Sequence, residues 1–367
     1  MTSFQTAMVR KANGDERPDL LGLVPAELRE VLRRHFRERG QPEFRTGQVE
    51  RWVFHNDARG FGEMNDLPLG ERDVLASAFR LEEPATASVS VSRDGTVKHL
   101  WRLWDGELVE SVLIPTRSRL TLCISSQAGC PLGCTFCATG WSGFRRQLTA
   151  GEIVAQFRAS RRWARQRDMG EVSNIVFMGM GEPLANPRAV LPSLTILNGG
   201  YGVGARRITV STVGVVPGIR SLAERPEQFG LALSLHAPES ELRRELIPLE
   251  KRYPLAEVKA ALERFRRVRG RRITLEYTMI RGVNDDLALI PALAGFARDT
   301  RAFVNLIPFN PIPYQPDWRP SAPARVQAFR RKLEDSGVAV MVREPRGRDI
   351  DAACGQLRAS RLTVLTG

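Results

Sequence analysis

The segment CISSQAGCPLGCTFCATG, residues 123–140, decides the fold. It holds four of the five cysteines in the chain, and Cys130, Cys134 and Cys137 have the spacing C-x3-C-x2-C. The fifth cysteine, Cys354, lies near the C-terminus. An odd, clustered set of cysteines is not the disulfide framework of a secreted protein. It indicates metal, redox or nucleophile chemistry in a reducing compartment.

The spacing of the three clustered cysteines favours an iron–sulfur cluster, because thiolates are the ligands that such clusters need. Gly129 and Gly133 allow a short loop to wrap around a compact group. Three cysteines leave one iron of a four-iron cluster without a protein thiolate, and an open iron can bind a substrate as an open zinc site binds water. The alternative, a zinc knuckle with a histidine as fourth ligand, is disfavoured because no histidine lies nearby. The histidines are His35, His55, His99 and His236.

Strands alternate with helices from about residue 118 onwards. Helical stretches such as 151–166 and 256–268 separate the strands. The six predicted strands are 120–125, 174–179, 207–212, 231–236, 273–280 and 303–308. Six βα units in order predict an α/β fold with a parallel sheet, right-handed crossovers and curling into a partial (β/α)6 barrel. Chemistry in such folds lies at the C-terminal ends of the strands.

The rest of the chain supplies an accessory domain and two further segments. Apolar residues at helical spacing predict short helices over 25–80, with Trp52 and Phe54 in their core rather than facing RNA. Arg93-Asp94-Gly95 is a hairpin turn signal within a small β extension. The predicted segments are a loose N-terminus (1–20), a helical accessory domain (21–84), the β extension (85–115), the barrel (116–345) and a C-terminal segment carrying Cys354 (346–367).

Composition points to a globular, basic protein. The 367 residues are 43% hydrophobic, and the net charge is +13, from 54 Lys+Arg against 41 Asp+Glu. The excess is mostly arginine, whose guanidinium group donates paired hydrogen bonds to phosphate and stacks on bases. The charge is therefore compatible with an RNA or DNA partner and equally with a solvated arginine-rich surface. No apolar run reaches the length of a membrane span or a signal peptide. We therefore expect a cytoplasmic enzyme with no membrane partner.

The cysteine motif, with Phe136 before its last cysteine and a strand before its loop, resembles the radical S-adenosylmethionine superfamily. The resemblance implies a [4Fe-4S] cluster on Cys130, Cys134 and Cys137, with S-adenosylmethionine on the unique iron and reductive cleavage to a 5′-deoxyadenosyl radical. It also implies cofactor contacts at the strand ends. These are Gly181 and Glu182 in MGMGEP, Ser211, Ser234, Leu235, His236 and Asn310.

The two remaining cysteines narrow the resemblance. Cys354 lies in DIDAACGQL, where the arginines of MVREPRGRD favour its thiolate, and Cys123 precedes the cluster motif on a strand. With SSQAGCPLGCTFCATG, FMGMGEPL, SLHAP and NLIPFNP, the chain from about residue 40 to 360 resembles the adenine-C2 RNA methyltransferases that act on 23S rRNA and on some tRNAs.

That family uses two S-adenosylmethionine molecules per methylation, and the resemblance implies a role for three residues. Cys354 accepts a methyl group, a radical activates it, and the methylene adds to adenine C2. Glu110, in LVESVLIP, removes the C2 proton. Cys123 then attacks the sulfur of Cys354, which releases the methylated RNA and leaves a transient disulfide.

The expected partners are 23S rRNA, tRNA and an electron donor such as flavodoxin, and the chain is expected to be a monomer. Arg145, Arg146 and the N-terminal helices are candidate RNA contacts, whereas RRWARQR at 161–167 is as readily a solvated helix face. Three alternatives are a related C8-specific adenine methyltransferase of the antibiotic-resistance type, a non-catalytic RNA-binding protein with a structural cluster, and a radical enzyme with a protein or small-molecule substrate.

Overall fold

The structure is a computed structural model and describes residues 15–358. Residues 1–14 of the predicted loose N-terminus, and 359–367 of the predicted C-terminal segment, lie outside that part. The stretch just before residue 21 is packed, since Leu20 is fully buried and Asp19 forms a β-bridge with Arg80. No helix within residues 15–358 is long and apolar enough to cross a membrane.

Twelve strands and eleven α-helices make up the described chain. The strands are β1 Ala85–Val91, β2 Val97–Arg102, β3 Leu108–Pro115, β4 Leu120–Cys123, β5 Gln127–Gly129, β6 Phe144–Gln147, β7 Val172–Phe177, β8 Ile208–Thr212, β9 Gly230–Ser234, β10 Thr274–Met279, β11 Phe303–Pro308 and β12 Val340–Val342. The helices are α1 Pro25–Glu38, α2 Phe44–Phe54, α3 Leu69–Ala78, α4 Ala138–Trp141, α5 Ala150–Arg165, α6 Pro187–Thr195, α7 Val216–Glu224, α8 Ser240–Leu246, α9 Leu255–Arg269, α10 Ile290–Asp299 and α11 Pro323–Asp335.

Ten strands form one mixed sheet in the order β1-β2-β3-β4-β7-β8-β9-β10-β11-β12. The run from β4 to β12 is parallel, and β1 to β4 pair antiparallel. All six predicted barrel strands form, so the predicted α/β fold with a small β extension is confirmed. A seventh parallel strand, β12, was not predicted, because three residues are too few to show a period.

The parallel strands β4, β8, β9 and β10 are mostly buried on both faces because helices cover their outer side. β9 shows this most clearly, since its first four residues are all buried. The sequences of such strands are continuous apolar runs, and their polar residues lie at the strand ends. The fold thereby concentrates the polar side chains at the carboxyl edge of the sheet, where the active site of a barrel lies.

Helix α5 joins the accessory helices to the barrel. Its Ile153 and Phe157 belong to the barrel core, whereas Val154 and Ala155 pack into the core of the accessory helices. The N-terminus of α5 carries a capping box, in which Thr149 Oγ1 accepts from Glu152 N–H and Glu152 accepts from Thr149 N–H. One helix therefore serves two hydrophobic cores.

The arginines of α5 also belong to this junction. Arg158 is fully buried and pairs with Glu83 at 2.9 Å, while Arg161 pairs with Asp57 and Arg162 with Glu83. The interpretation of 161–167 as a solvated face is therefore wrong for Arg161 and Arg162. Pairing across sequence separations of about eighty to one hundred residues is a tertiary property that a local charge pattern does not reveal.

Candidate active site

A short antiparallel ladder holds the ends of the cysteine loop together. Gly129 at the end of β5 pairs with Phe144 at the start of β6, and the N–H of Cys130 donates to the carbonyl of Gly143 at 3.0 Å. A Cβ on Gly129, whose φ is +79°, would lie 1.9 Å from that carbonyl oxygen. The loop can close here only because residue 129 is glycine.

One cavity at the carboxyl ends of the parallel strands collects most of the predicted site. It is lined by nine of the residues that the sequence singled out: Cys130, Cys134, Cys137, Gly181, Glu182, Ser211, Ser234, His236 and Cys354. They come from the cysteine loop, strand ends or the turns that follow them, and the C-terminal segment. Leu235 is fully buried outside the cavity lining, and its N–H donates to the carbonyl of Glu276 at 3.0 Å.

The cysteine thiols face a shared, desolvated space. Burial raises the pKa of Cys130 to about 12, and burial raises the pKa of Cys134 well above its ordinary value. The charge of a neighbouring cysteine raises both values further, so the three sulfurs lie close enough to repel one another as thiolates. No three His, Cys, Asp or Glu side chains within residues 15–358 converge on the position of a single metal ion.

Glu182 is a buried carboxyl fixed by main-chain donors. Its Oε1 accepts from Leu184 N–H at 3.0 Å and its Oε2 from Val213 N–H at 2.9 Å. Burial nevertheless raises its pKa to about 7. The preceding Gly181 has φ +97°, and a Cβ there would lie 2.5 Å from Gln127 Cβ. Glycine thus lets the MGMGEP turn press against the strand that leads into the cysteine loop.

His236 connects the end of β9 to the cysteine loop. Its ring packs against Phe136 with centroids 4.3 Å apart, and its Nδ1 accepts from Thr278 N–H at 2.9 Å. Burial, and then the charge of Arg243, lowers its pKa to about 3, so the imidazole stays neutral. The hydroxyls of Ser211 and Ser234 lie 3.4 Å apart on the neighbouring strand ends.

Cys354 lies directly against the cysteine loop. Gly355, the next residue, accepts from Ala138 N–H at 2.7 Å, and Ala138 follows Cys137. Asn310 Nδ2 donates to the Cys354 carbonyl at 3.1 Å. Asn310 does not line the cysteine cavity, so the structure places this predicted cofactor contact on the Cys354 loop.

A second, smaller cavity brings together the two cysteines outside the cluster motif. Cys123, Cys354, Asn310 and Arg343 all line it. Burial, and then the charge of Cys354, raises the pKa of Cys123 to about 12. Both sulfurs are free thiols, so the expected disulfide is not present in this structure. Cys354 lines both cavities and therefore lies between the cluster motif and Cys123.

Glu110 is buried beside the C-terminal segment rather than solvated. Its Oε1 lies 3.1 Å from Lys98 Nζ, and its Oε2 accepts from Arg358 N–H at 2.8 Å. Since Arg358 is only four residues after Cys354, strand β3 and the Cys354 loop meet at this carboxylate.

The hairpin turn of the β extension holds the segment that leads to Cys354. Asp94 accepts from Gly347 N–H at 3.0 Å, while Asp349 accepts from Ser92 Oγ at 2.6 Å and from Arg93 N–H at 3.2 Å. The predicted turn at 93–95 is therefore also a clamp on the C-terminal segment.

Two charged residues of the site were not singled out by the sequence: Arg343 was named only as one of the arginines of MVREPRGRD near Cys354, and Glu276 was not named. Arg343 lines both cavities, and the charge of Cys354 is the main reason that its pKa is raised. Glu276 is buried in β10, accepts from Asn305 Nδ2 at 2.8 Å and also lines the cysteine cavity. Arg343 follows β12, so a strand-end rule applied to that short strand would have found it. Nothing in the local pattern distinguishes Glu276.

The two arginines proposed as RNA contacts differ in their surroundings. Arg146 is bound by Asp105 and by Glu152, the latter at 2.8 Å. Arg145 is exposed. The structure therefore leaves Arg145 as the accessible side chain of the pair.

Comparisons with known proteins agree with this arrangement. Residues 19–81 match the family model described as the ribosomal RNA large subunit methyltransferase N-terminal domain, and residues 124–289 match the radical SAM superfamily. A Gemmatimonas aurantiaca protein named probable dual-specificity RNA methyltransferase RlmN is 48% identical over 347 residues, covering 94% of each chain. The dual-specificity RNA methyltransferase RlmN of Alcanivorax borkumensis is 41% identical, covering 93% of this chain and 90% of its own.

A solved structure extends the similarity to three dimensions. The radical SAM methyltransferase from Sphaerobacter thermophilus superposes with a TM-score of 0.88 at 43% identity, covering 93% of this chain and 99% of its own. Identity of this level over nearly the whole length, together with both domain matches, shows that this chain belongs to the RlmN family of radical SAM RNA methyltransferases.

Proposed function

We propose that this protein methylates C2 of an adenine in 23S rRNA and in tRNA, with the sulfur of Cys354 carrying the methyl group. The observation that carries this proposal is the position of Cys354, which lines both the cysteine-loop cavity and the cavity of Cys123. The relatives are named dual-specificity RNA methyltransferases, and the accessory helices match a ribosomal RNA methyltransferase domain.

The donor set of the cysteine loop fits a [4Fe-4S] cluster held by Cys130, Cys134 and Cys137. The three thiols, of which Cys134 is buried and Cys130 and Cys137 are half-buried, lie close enough to repel one another as thiolates. A cationic, thiophilic group is needed to stabilise that form. When bound, the cluster and S-adenosylmethionine supply an electrophilic methyl group and a carbon radical that removes a hydrogen atom. Gly181, Glu182, Ser211, Ser234 and His236 line the space beside the loop and are the residues that would hold S-adenosylmethionine.

Arg343 and Asn310 prepare Cys354 for methyl acceptance. A nucleophilic thiol must be a thiolate, and Cys354 is the strongest electrostatic partner of the Arg343 guanidinium, so a positive charge lies beside the attacking sulfur. Asn310 holds the carbonyl of Cys354 and accepts from Arg348 Nε at 3.0 Å, which fixes the loop between the two cavities.

Glu110 takes the C2 proton, and Cys123 frees the product. Glu110 forms an ion pair with Lys98, and the hydrogen bond that it accepts from Arg358 N–H keeps it beside the Cys354 loop, where a proton acceptor is needed. Cys123 lies in the cavity of Cys354 and attacks its sulfur as a thiolate. The new S–S bond forms as the S–C bond breaks, and the released carbon keeps the electron pair and takes up a proton to become the methyl group of the base.

We further propose that an acidic one-electron carrier such as flavodoxin supplies electrons, and that the enzyme acts as a monomer in the cytoplasm. The net charge of +13 favours both an acidic donor and RNA.

The test is RNA methylation by the anaerobically reconstituted, reduced protein with isotopically labelled S-adenosylmethionine. We expect 5′-deoxyadenosine and a label on adenine C2 by mass mapping of 23S rRNA fragments and tRNA. Cys354→Ala should abolish RNA methylation while keeping the iron and sulfide content of the wild type. Cys134→Ala should lose both the RNA methylation and the bound iron and sulfide. A label on C8 would favour the C8-specific alternative, and RNA binding without 5′-deoxyadenosine would favour the non-catalytic one.

A further inference from the structure

A second concavity lies at the end of the barrel where the strands begin. Four arginines line it: Arg266, Arg272, Arg298 and Arg301. The remaining lining residues are small or aliphatic: Gly270, Ala297, Ala302, Gly337, Val338 and Ala339. No carboxylate of the described chain lines this site, which we call the distal arginine cavity.

The distal arginine cavity and the cysteine cavity lie at opposite ends of the same strands. Arg272 and Ala302 come shortly before β10 and β11, whereas Thr278 and Ile307, near the ends of those strands, line the cysteine cavity. β10 and β11 are parallel and six residues long, so about 20 Å of strand separates the two cavities at roughly 3.3 Å per residue.

Helix dipoles do not account for the concentration of positive charge. Helices α9, α10 and α11 end beside the cavity, and each C-terminus carries about half a negative charge. Three such ends offset less than half of four guanidinium charges. Two of the nearby carboxylates are also neutralised, since Asp299 pairs with Lys259 and Glu334 with Arg330.

The guanidinium groups are available for a ligand. Within residues 15–358, the side chains of Arg266, Arg272 and Arg301 have no hydrogen bond or ion pair, and Arg298 uses one N–H for the carbonyl of Ser336 at 2.9 Å. Arg272 and Arg301 are exposed. The donors therefore lie in an open concavity with their hydrogen-bonding capacity largely unused.

We propose that the distal arginine cavity binds phosphate groups, contributed by a part of the RNA substrate remote from the target adenine. Guanidinium groups bind phosphate oxygens through paired N–H donors. The lining has no aromatic side chain from the described chain on which a base could stack, which favours backbone phosphates over a nucleotide. The RNA source rests on the proposed function, whereas the phosphate chemistry does not. Only a folded RNA large enough to pass around the barrel can occupy both ends.

The test compares the double variant Arg272→Gln/Arg301→Gln with Arg325→Gln/Arg331→Gln. The control pair removes the same charge from exposed positions on α11 that do not line the cavity. Binding to intact tRNA and to a 23S rRNA domain is measured against salt. Because Arg272→Gln/Arg301→Gln removes two phosphate-binding groups, the slope of log affinity on log salt should fall by about two. The ratio of the wild-type affinity to the affinity of this variant should therefore fall about tenfold between roughly 50 and 200 mM salt.

A short stem-loop containing only the target adenine should bind the wild type and both variants alike. Equal binding of the long RNAs by the two double variants would overturn the inference and leave the proposed function intact. If the wild type neither binds nor methylates RNA, the proposed function fails, and calorimetry with inorganic tripolyphosphate decides the site. If tripolyphosphate binds the wild type and the control variant but not Arg272→Gln/Arg301→Gln, the cavity is a site for free phosphate compounds. If tripolyphosphate does not bind the wild type, or binds Arg272→Gln/Arg301→Gln equally well, the inferred phosphate site is overturned.

Discussion

Cys123 and Cys354 line one cavity as free thiols, and the charge of Cys354 contributes to the raised pKa of Cys123. They come from a barrel strand and from a C-terminal loop. The thiol of Cys123 therefore ionises less readily when the neighbouring sulfur is charged.

The first prediction concerns the order in which these thiols act. Cys123→Ala should leave methylation of Cys354 intact but stop product release, so a covalent protein–RNA adduct should accumulate. The measurement is denaturing electrophoresis with labelled RNA. Cys123→Ala/Cys354→Ala is the control and should form no adduct. Free methylated RNA at the wild-type rate from Cys123→Ala would contradict the role of Cys123.

The second prediction concerns the pH dependence of release. Burial raises the pKa of Cys123 from its ordinary value of 9.0 to about 12, so the thiol is protonated at neutral pH. Exchange requires the thiolate, so the release rate should rise about tenfold per pH unit across the neutral and mildly alkaline range. Single-turnover release from a preformed adduct measures this. A rate that levels off below about pH 8 would refute the idea that burial controls this thiol.

The third prediction separates two roles for Asn310. Its side chain holds the Cys354 carbonyl, and losing one such hydrogen bond costs about 1 kcal/mol. Asn310→Ala should therefore lower kcat roughly five- to tenfold while KM for S-adenosylmethionine stays unchanged. Asn198→Ala, which removes a similar bond to the carbonyl of Val203, should change neither constant. A raised KM with unchanged kcat would place Asn310 with the cofactor instead.

The fourth prediction tests the close approach at Gly181. Gly181 and Gly202 both have left-handed backbones, but only at Gly181 would a Cβ meet a neighbour within 4 Å. Gly202→Ala should cost about 1–2 kcal/mol for the backbone alone. Gly181→Ala adds overpacking of about 1–3 kcal/mol and should also reduce the iron bound per chain. Chemical denaturation and iron analysis measure both effects, and equal losses in the two variants would contradict the clash.

The fifth prediction tests the clamp between the β hairpin and the C-terminal segment. Asp349→Ala removes the acceptor for Ser92 Oγ and Arg93 N–H. Amide hydrogen exchange over residues 347–358 should become faster, and Cys354 methylation should slow at unchanged iron content. Asp73→Ala, which removes an exposed carboxylate from α3, is the control. Unchanged exchange in Asp349→Ala would show that the hairpin does not hold this segment.

The barrel and most of its site could be predicted because their signals are local. The apolar runs predicted all six barrel strands to within two residues, and the C-x3-C-x2-C spacing marked the loop that lines the main cavity. Strand ends gather at one edge of a parallel sheet, so Ser211, Ser234 and His236, which the resemblance implied as cofactor contacts, lie together in the cavity.

What escaped prediction depends on distant contacts. The ladder of β5 and β6 contains a strand of only three residues, which is too short to show periodicity. The sequence linked the arginines of MVREPRGRD to Cys354 only as a group, and the structure singles out Arg343 as the one that lines both cavities. Asn310 contacts the Cys354 loop rather than lining the cysteine cavity. The arginines of α5 looked like a solvated stripe because their acidic partners, Asp57 and Glu83, lie far back in the chain.

Helix α5, with Arg158 buried at its junction, has a consequence for how the molecule melts. The guanidinium of Arg158 is satisfied by Glu83 and by carbonyls at Val53 and Ala58, all in the part of the chain before the barrel. If the accessory helices detached, Arg158 would lose its carboxylate and both carbonyl partners, and Val154 and Ala155 of the same helix would lose the apolar core into which they pack. Accessory helices and barrel should therefore unfold in a single cooperative transition, and removing residues 21–84 should yield an insoluble barrel rather than a smaller enzyme.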